Sequence, residues 1–381
     1  MKKLLFFIML LFIPIGVSAE ELIKNAKSGI LIEASSGKII YEKEKDMELS
    51  VASMTKMVAQ IIILEEIENK KIKWTDMVKV SHNASSMGGS QIYLQDGEEM
   101  SVEDLMKGIS VASGNDATVA MAEYISGSEE KFVERMNKKV KELGLTHTHF
   151  SNCTGLDEDN HYSSAYDMAI IARELVINHP EILRFSSIYE DYLRENTDNK
   201  FWLVNTNKLI SQYDGTDGLK TGHTDNALYC LAATTKRNNM RLIAIVLGEE
   251  SSKIRNSETI ELLDYGFNNM KVKTLKNKNE IIKKIDLKRS DKSYINAILK
   301  DDLVVASSVS DDIKYNYDVH INKLKLPIKK GEIIGKIDVL ENKNIISTGI
   351  LISSNDVNKL SLFDLYYKNL LNFVFGNLRE S

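Results

Sequence analysis

The most constraining stretch of this chain is Val51-Ala52-Ser53-Met54-Thr55-Lys56, where a hydroxyl and an amine stand three residues apart at the head of an apolar helix. Val58, Ile61, Ile62, Ile63, Leu64 and Ile67 fall mostly at helical spacing, with Gln60, Glu65, Glu66 and Glu68 between them. The pattern predicts a core-buried helix beginning near Ser53. Residues three apart on a helix share a face, so the Ser53 hydroxyl and the Lys56 amine meet without help from tertiary structure. A serine is a poor nucleophile until a neighbour takes its proton, and a lysine does so only when neutral. Burial, a helix N-terminus and a second cation each push a lysine in that direction. The same spacing recurs at Ser35 to Lys38 and Ser128 to Lys131, in a turn and at a surface helix start, so spacing alone does not define a site.

With 381 residues, 43% hydrophobic and 27% charged, the chain suits about two globular domains. Its net charge of -5, with lysines and acids interleaved, leaves no electrostatic footprint for nucleic acid. Lys2 and Lys3 precede an apolar run from Leu4 to Val17, then Ser18 and Ala19. That layout predicts a secretory signal peptide over residues 1–19, the run being shorter than the roughly 20 residues a spanning helix needs. Export permits a disulfide between Cys153 and Cys230, but neither has the Cys/His company of a metal site, and both read as packed or free thiols. Leu360 to Phe375 is apolar except for Asp364, Lys368 and Asn372, which recur every fourth residue. One narrow polar stripe of this kind predicts an interfacial helix at the membrane surface, within a tail of residues 357–381.

Between these ends, Ser28 to Lys43 reads as a hairpin leading into the Ser53 helix. Ser101 opens a helix that stops at Ser113-Gly114-Asn115-Asp116, and a second helical pattern runs from Ala117 to Tyr124. A polar turn between two buried helices is well placed to present side chains into a cleft. Helices follow at Lys131 to Leu143 and Ser164 to Ile177, with the polar loop from Phe150 to Asp157 between them. Lys220-Thr221-Gly222-His223 is expected on or beside a strand next to a hairpin turning at Asn238-Asn239, and a helix at Ser257 to Phe267 closes this part. From about residue 271 short alternating runs predict a small all-β domain with no catalytic constellation.

Ser53-x-x-Lys56, then Ser113-x-Asn115, then Lys220-Thr221-Gly222 is the ordered triplet of the penicillin-binding and serine β-lactamase superfamily, each word in a fitting context. The surrounding words, Ser113-Gly114-Asn115-Asp116-Ala117, Gly155-Leu156-Asp157, Asp217 to Asp225 and Met240-Arg241-Leu242-Ile243, resemble the low-molecular-weight D-alanyl-D-alanine carboxypeptidases. The resemblance implies an α+β fold: a penicillin-binding/β-lactamase-like domain over residues 20–270, with an antiparallel sheet, helices on both faces and a helical subdomain. A β-rich domain over residues 271–356 and the C-terminal amphipathic helix follow.

It further implies that Ser53 attacks the carbonyl between the two terminal D-alanines of a peptidoglycan stem peptide, that Lys56 activates it, and that Ser113 relays a proton to the leaving amine. Asn115 would hold the substrate amide and help position Lys56. Lys220 would keep the field positive and attract the substrate carboxylate. Thr221, Gly222 and His223 would lie along the substrate, with the N–H groups of Ser53 and His223 as oxyanion hole and Arg255 assisting carboxylate recognition. No metal or cofactor is implied, and β-lactam antibiotics would acylate the same serine. The rival readings are a β-lactamase, disfavoured because no Glu-x-x-Leu-Asn word lies between Asn115 and Lys220, a transpeptidase or endopeptidase, and a non-catalytic wall-binding scaffold. The expected location is the outer face of the cytoplasmic membrane, with the chain peripherally anchored.

Overall fold

The computed structural model describes residues 22–238, 240–308, 314–341, 343–361 and 363–364. The expected signal peptide and most of the expected C-terminal helix lie outside the described residues. Strands β1 (Ser28–Glu33) and β2 (Ile39–Lys43) form the first hairpin. A 3₁₀ turn at Ala52–Thr55 runs into α1 (Lys56–Glu68). Short strands β3 (Met77–Lys79) and β4 (Glu99–Ser101) pair around the one-turn α2 (His82–Ser85). Then α3 (Val102–Lys107), capped by the Ser101 hydroxyl, widens into a π turn at Gly108–Ala112 before α4 (Asn115–Ser126). The helical part continues with α5 (Glu129–Glu142), α6 (Ala165–Asn178) and α7 (Leu183–Ser186).

A small hairpin, β5 (Glu190–Leu193) with β6 (Phe201–Val204), leads through α8 (Leu209–Gln212) to β7 (Thr216–Thr224), β8 (Leu228–Arg237) and β9 (Met240–Glu249). These complete an antiparallel sheet of order β2-β1-β9-β8-β7. Because side chains alternate across a strand, the sheet buries both faces. Ile30, Ile32, Ile243 and Ile245 join α1 and α6 in one core; Leu31, Leu242, Ala244 and Val246 join Leu262 and Leu263 of α9 (Ser252–Asn269) in another. Glu258 of α9 also fastens the first described residues: its carboxylate accepts from the backbone N–H groups of Lys24, Asn25 and Ala26 at 2.9, 2.9 and 3.3 Å.

After α9 the chain is all strand: β10 (Met270–Lys276), β11 (Ile281–Asp286), β12 (Tyr294–Leu299), β13 (Leu303–Ser308), β14 (Asn316–Ile321), β15 (Ile333–Glu341) and β16 (Asn344–Ser353). Five form a sheet of order β11-β12-β16-β15-β14, and β10 pairs with β13. Alternation on β13 joins the two parts. Leu303 and Val305 enter the C-terminal core around Ile295, Ile337 and Leu351, whereas Ala306 joins Met270 in the α9 core. Both cysteines are buried free thiols, as the sequence allowed.

Candidate active site

The 3₁₀ turn and α1 bring the first pair together. Lys56 Nζ lies 2.7 Å from Ser53 Oγ, 2.6 Å from Asn115 Oδ1 and 2.6 Å from the Thr154 carbonyl oxygen. Lys56 is fully buried, and desolvation lowers its pKa to about 7 against the opposing pull of Cys153 and Asp116. As an ammonium it donates to all three oxygens. As a neutral amine it keeps the two carbonyl bonds and turns its lone pair to the Ser53 hydroxyl, which then donates. Near neutral pH the pair is thus poised for proton transfer.

Two glycines fix the turn that carries Ser53. A Cβ at Gly155, whose φ is +84°, would overlap the Ala52 carbonyl, and one at Gly222 would overlap the Val51 carbonyl. The two chains therefore clamp the turn from both sides only because neither has a side chain there. Asp157 completes the clamp, accepting from the Ser50 hydroxyl at 3.0 Å and the Thr224 hydroxyl at 2.7 Å.

Ser113 follows the π turn in a left-handed conformation (φ 62°) and is 3% exposed. Lys220, from the middle of β7 and 1% exposed, donates to Ser113 Oγ at 2.8 Å and to the Thr221 carbonyl at 3.1 Å. Burial, followed by the nearby Lys56 and Arg255, lowers the Lys220 pKa from the usual lysine range. The guanidinium of Arg255, buried on α9, lines the same cleft and adds a cation that does not lose its proton.

A cleft of about 470 Å³ joins Ser53, Ser113, Thr221, Gly222, His223 and Arg255. Asn115 is buried beside Lys56. Its amide oxygen faces Lys56 and its nitrogen donates to the Gly88 carbonyl at 2.7 Å, so the structure gives it the positioning part of its expected role. The His223 ring is exposed and stacks on Tyr229 at 4.1 Å between centroids.

Sequence reasoning missed three contributors. The Thr154 carbonyl is a backbone group that no residue type encodes. Asp116 accepts from the N–H groups of Ile92 and Leu94 at about 3.0 Å and so folds the Gly88–Leu94 loop over the cleft. Thr206 accepts from the Thr221 hydroxyl at 2.7 Å, in a segment with no motif to announce it.

Comparison with known proteins agrees with this geometry. Residues 16–251 match the family model described as D-alanyl-D-alanine carboxypeptidase, and residues 271–359 match that of the penicillin-binding protein 5 C-terminal domain. The chain is 45% identical over 347 residues to D-alanyl-D-alanine carboxypeptidase DacF of Bacillus subtilis (strain 168), covering 90% of this chain and 89% of the relative. Penicillin-binding protein 5 from Haemophilus influenzae superposes with a TM-score of 0.69 at 32% identity, over 88% of this chain and 98% of that one. Penicillin-binding protein D2 from Listeria monocytogenes, solved in its ampicillin-bound form, gives 0.58 at 29% identity over 64% and 97%. A hydroxyl held by a buried amine, a second amine–hydroxyl pair in the same cleft and these matches lead to one conclusion: the chain belongs to the D-alanyl-D-alanine carboxypeptidase family of low-molecular-weight penicillin-binding proteins and is a serine D-Ala-D-Ala carboxypeptidase.

Proposed function

We propose that Ser53 is the nucleophile and Lys56 its base in removing the terminal D-alanine from peptidoglycan stem pentapeptides. The observation that carries this assignment is the 2.7 Å approach of a fully buried Lys56 amine to Ser53 Oγ. Lys56 takes the hydroxyl proton as Ser53 Oγ bonds to the carbonyl carbon of the last peptide bond. The oxyanion so formed is met by the backbone N–H groups of Ser53 and His223. The carbon–nitrogen bond then breaks, the Ser113 hydroxyl passes a proton to the leaving amine, and D-alanine departs. Water, deprotonated through Lys56, attacks the remaining ester and restores Ser53.

Arg255, Thr221 and Lys220 receive the terminal carboxylate. A bound carboxylate beside Lys220 favours its charged form and so opposes the effect of burial. A β-lactam is a cyclic amide that acylates Ser53 in place of substrate. The test is direct: labelled penicillin should map to the Ser53 peptide, and Ser53→Ala should abolish both that adduct and D-alanine release without unfolding the chain. An adduct on another residue would move the nucleophile elsewhere.

We further propose that the protein acts outside the cytoplasmic membrane, exported by residues 1–19 and held at the surface by the amphipathic C-terminal stretch. The lysine-led apolar run and the Asp364, Lys368, Asn372 stripe support this reading. Among the described residues no helix is long and apolar enough to cross a membrane.

A further inference from the structure

The β5–β6 hairpin ends at the mouth of the cleft and carries aromatic surface that the peptidase chemistry leaves unused. Its inner face is buried through Leu193 and Leu203. Its outer face carries the cross-strand pair Tyr192 and Trp202, 39% and 56% exposed. Two residues beyond Trp202 on the same outer face, Val204 lines the cleft. Trp202 therefore stands one pleat repeat, about 7 Å, from the cleft wall. Tyr189, at the foot of β5 and 38% exposed, lies under the ammonium of Lys208, 5.3 Å from the ring centre, and Lys208 also lines the cleft. The Lys200 ammonium sits 3.7 Å from the Tyr192 ring centre. Tyr192 and Trp202, with the Lys200 amine at their edge, thus form a pair of exposed rings on the face that reaches the cleft at Val204.

We propose that this pair of rings binds the glycan strand of the substrate, a polymer of N-acetylated amino sugars, while the stem peptide lies in the cleft; the inference rests on the peptidase reading of that cleft. An amino-sugar ring has an apolar C–H face that stacks on indole or phenol, while its hydroxyl and acetamide oxygens accept from ammonium groups at the edge. The four stem residues on the sugar side of the scissile bond span roughly 13 Å when extended, which carries the sugar past the cleft rim. An anionic lipid surface fits less well. Residues 190–204 hold four acids, Glu190, Asp191, Glu195 and Asp198, against two bases, Arg194 and Lys200, so the hairpin is net negative.

The test compares wild type, Trp202→Ala and Tyr192→Ala on a free pentapeptide and on the same pentapeptide carried by a disaccharide of N-acetylated amino sugars. The expected result is a KM for the glycan-linked substrate raised about five- to tenfold, with its kcat and both constants for the free peptide unchanged. Trp202→Phe should restore most of the lost affinity, as stacking requires. The chain has two tryptophans, so a Trp74→Phe background leaves Trp202 as sole reporter, and an N-acetylglucosamine tetramer should change its fluorescence saturably. Equal effects on both substrates, no effect on either, or an unresponsive Trp202 would overturn the proposal. So would loss of binding to phosphatidylglycerol vesicles with glycan kinetics intact, which would assign the face to lipid. Free-pentapeptide turnover by wild type and Ser53→Ala reports the peptidase reading separately, so the two ideas fail independently.

Discussion

Lysine is plentiful in both the cleft and the C-terminal sheet, and the two regions use it in opposite ways. On β11, Lys283 and Lys284 are exposed, and the Lys284 ammonium rests 3.9 Å from the Tyr294 ring centre. On β15, Lys336 stands in solvent and pairs with Asp338 at 2.7 Å. Such groups keep their hydration and contribute little either way. In the cleft, Lys56 and Lys220 are 0% and 1% exposed, and each has lost its water to the fold. Depressing Lys56 from 10.5 to about 7 weakens the folded state at neutral pH by roughly 4 kcal/mol. A fold that stabilises itself with Ile295, Ile337 and Leu351 in one domain thus tolerates two buried amines in the other because the chemistry there requires them.

The sharpest way to break this contrast is to exchange the lysines' fates. Lys56→Ala and Ser53→Ala should each cut penicillin acylation and D-alanine release by about a thousandfold or more. Lys283→Ala and Lys284→Ala should leave both rates within about twofold. A comparable loss from the C-terminal sheet would refute the division of labour. Next in size, Lys220→Met should slow acylation by about a hundredfold while raising unfolding free energy by about 1–4 kcal/mol, read by denaturant titration. Lys283→Met should move stability by no more than about 0.5 kcal/mol.

The pH profile sharpens the same comparison. Acylation should rise about tenfold per pH unit below 7 and level off above it, as Lys56 loses its proton. For stability the sign runs the same way. Between about 7 and 10.5 the unfolded lysine holds a proton that the buried amine has released, so folding gains with rising pH across that window. Lys56→Met should reduce this slope and leave the share that Lys220 contributes, whereas Lys283→Met should leave it in place. The smallest expected effect on catalysis comes from deleting Leu360 to Ser381. Acylation and D-alanine release should stay unchanged while the protein shifts from membrane to soluble fractions; a truncated chain still in the membrane fraction would point to an uncleaved N-terminus.

Much of this arrangement was legible in the residues, and the exceptions have physical reasons. Alternation and helical spacing located the β8–β9 hairpin, α1, α5 and α6, and the ordered motifs located Ser53, Ser113 and Lys220. Boundaries slipped where caps decided them. The last helix, expected from Ser257, begins at Ser252 because the Ser251 hydroxyl accepts from the Ile254 N–H at 3.3 Å. The helix expected from Ala117 begins at Asn115, under a motif that reads as a turn. The 3₁₀ turn beneath Ser53 was illegible, since it is imposed by Gly155 and Gly222 pressing from distant segments. The burial of Lys220 was illegible too, because depth of burial is a property of the whole fold and no local word records it.

Lys24, Asn25 and Ala26 precede the first strand, yet the carboxylate that fastens them belongs to Glu258, 234 positions after Lys24. The segment before β1 has this anchor only with α9 in place. Arg255 rides on that same helix, three residues earlier, so the docking of α9 also sets a guanidinium in the cleft. A nascent chain stopped after Glu249 would already contain the serine, both amines and their partners, but not the helix that seals the far face of the sheet. Whatever unseats α9 therefore loosens the leading segment and withdraws Arg255 from the cleft together.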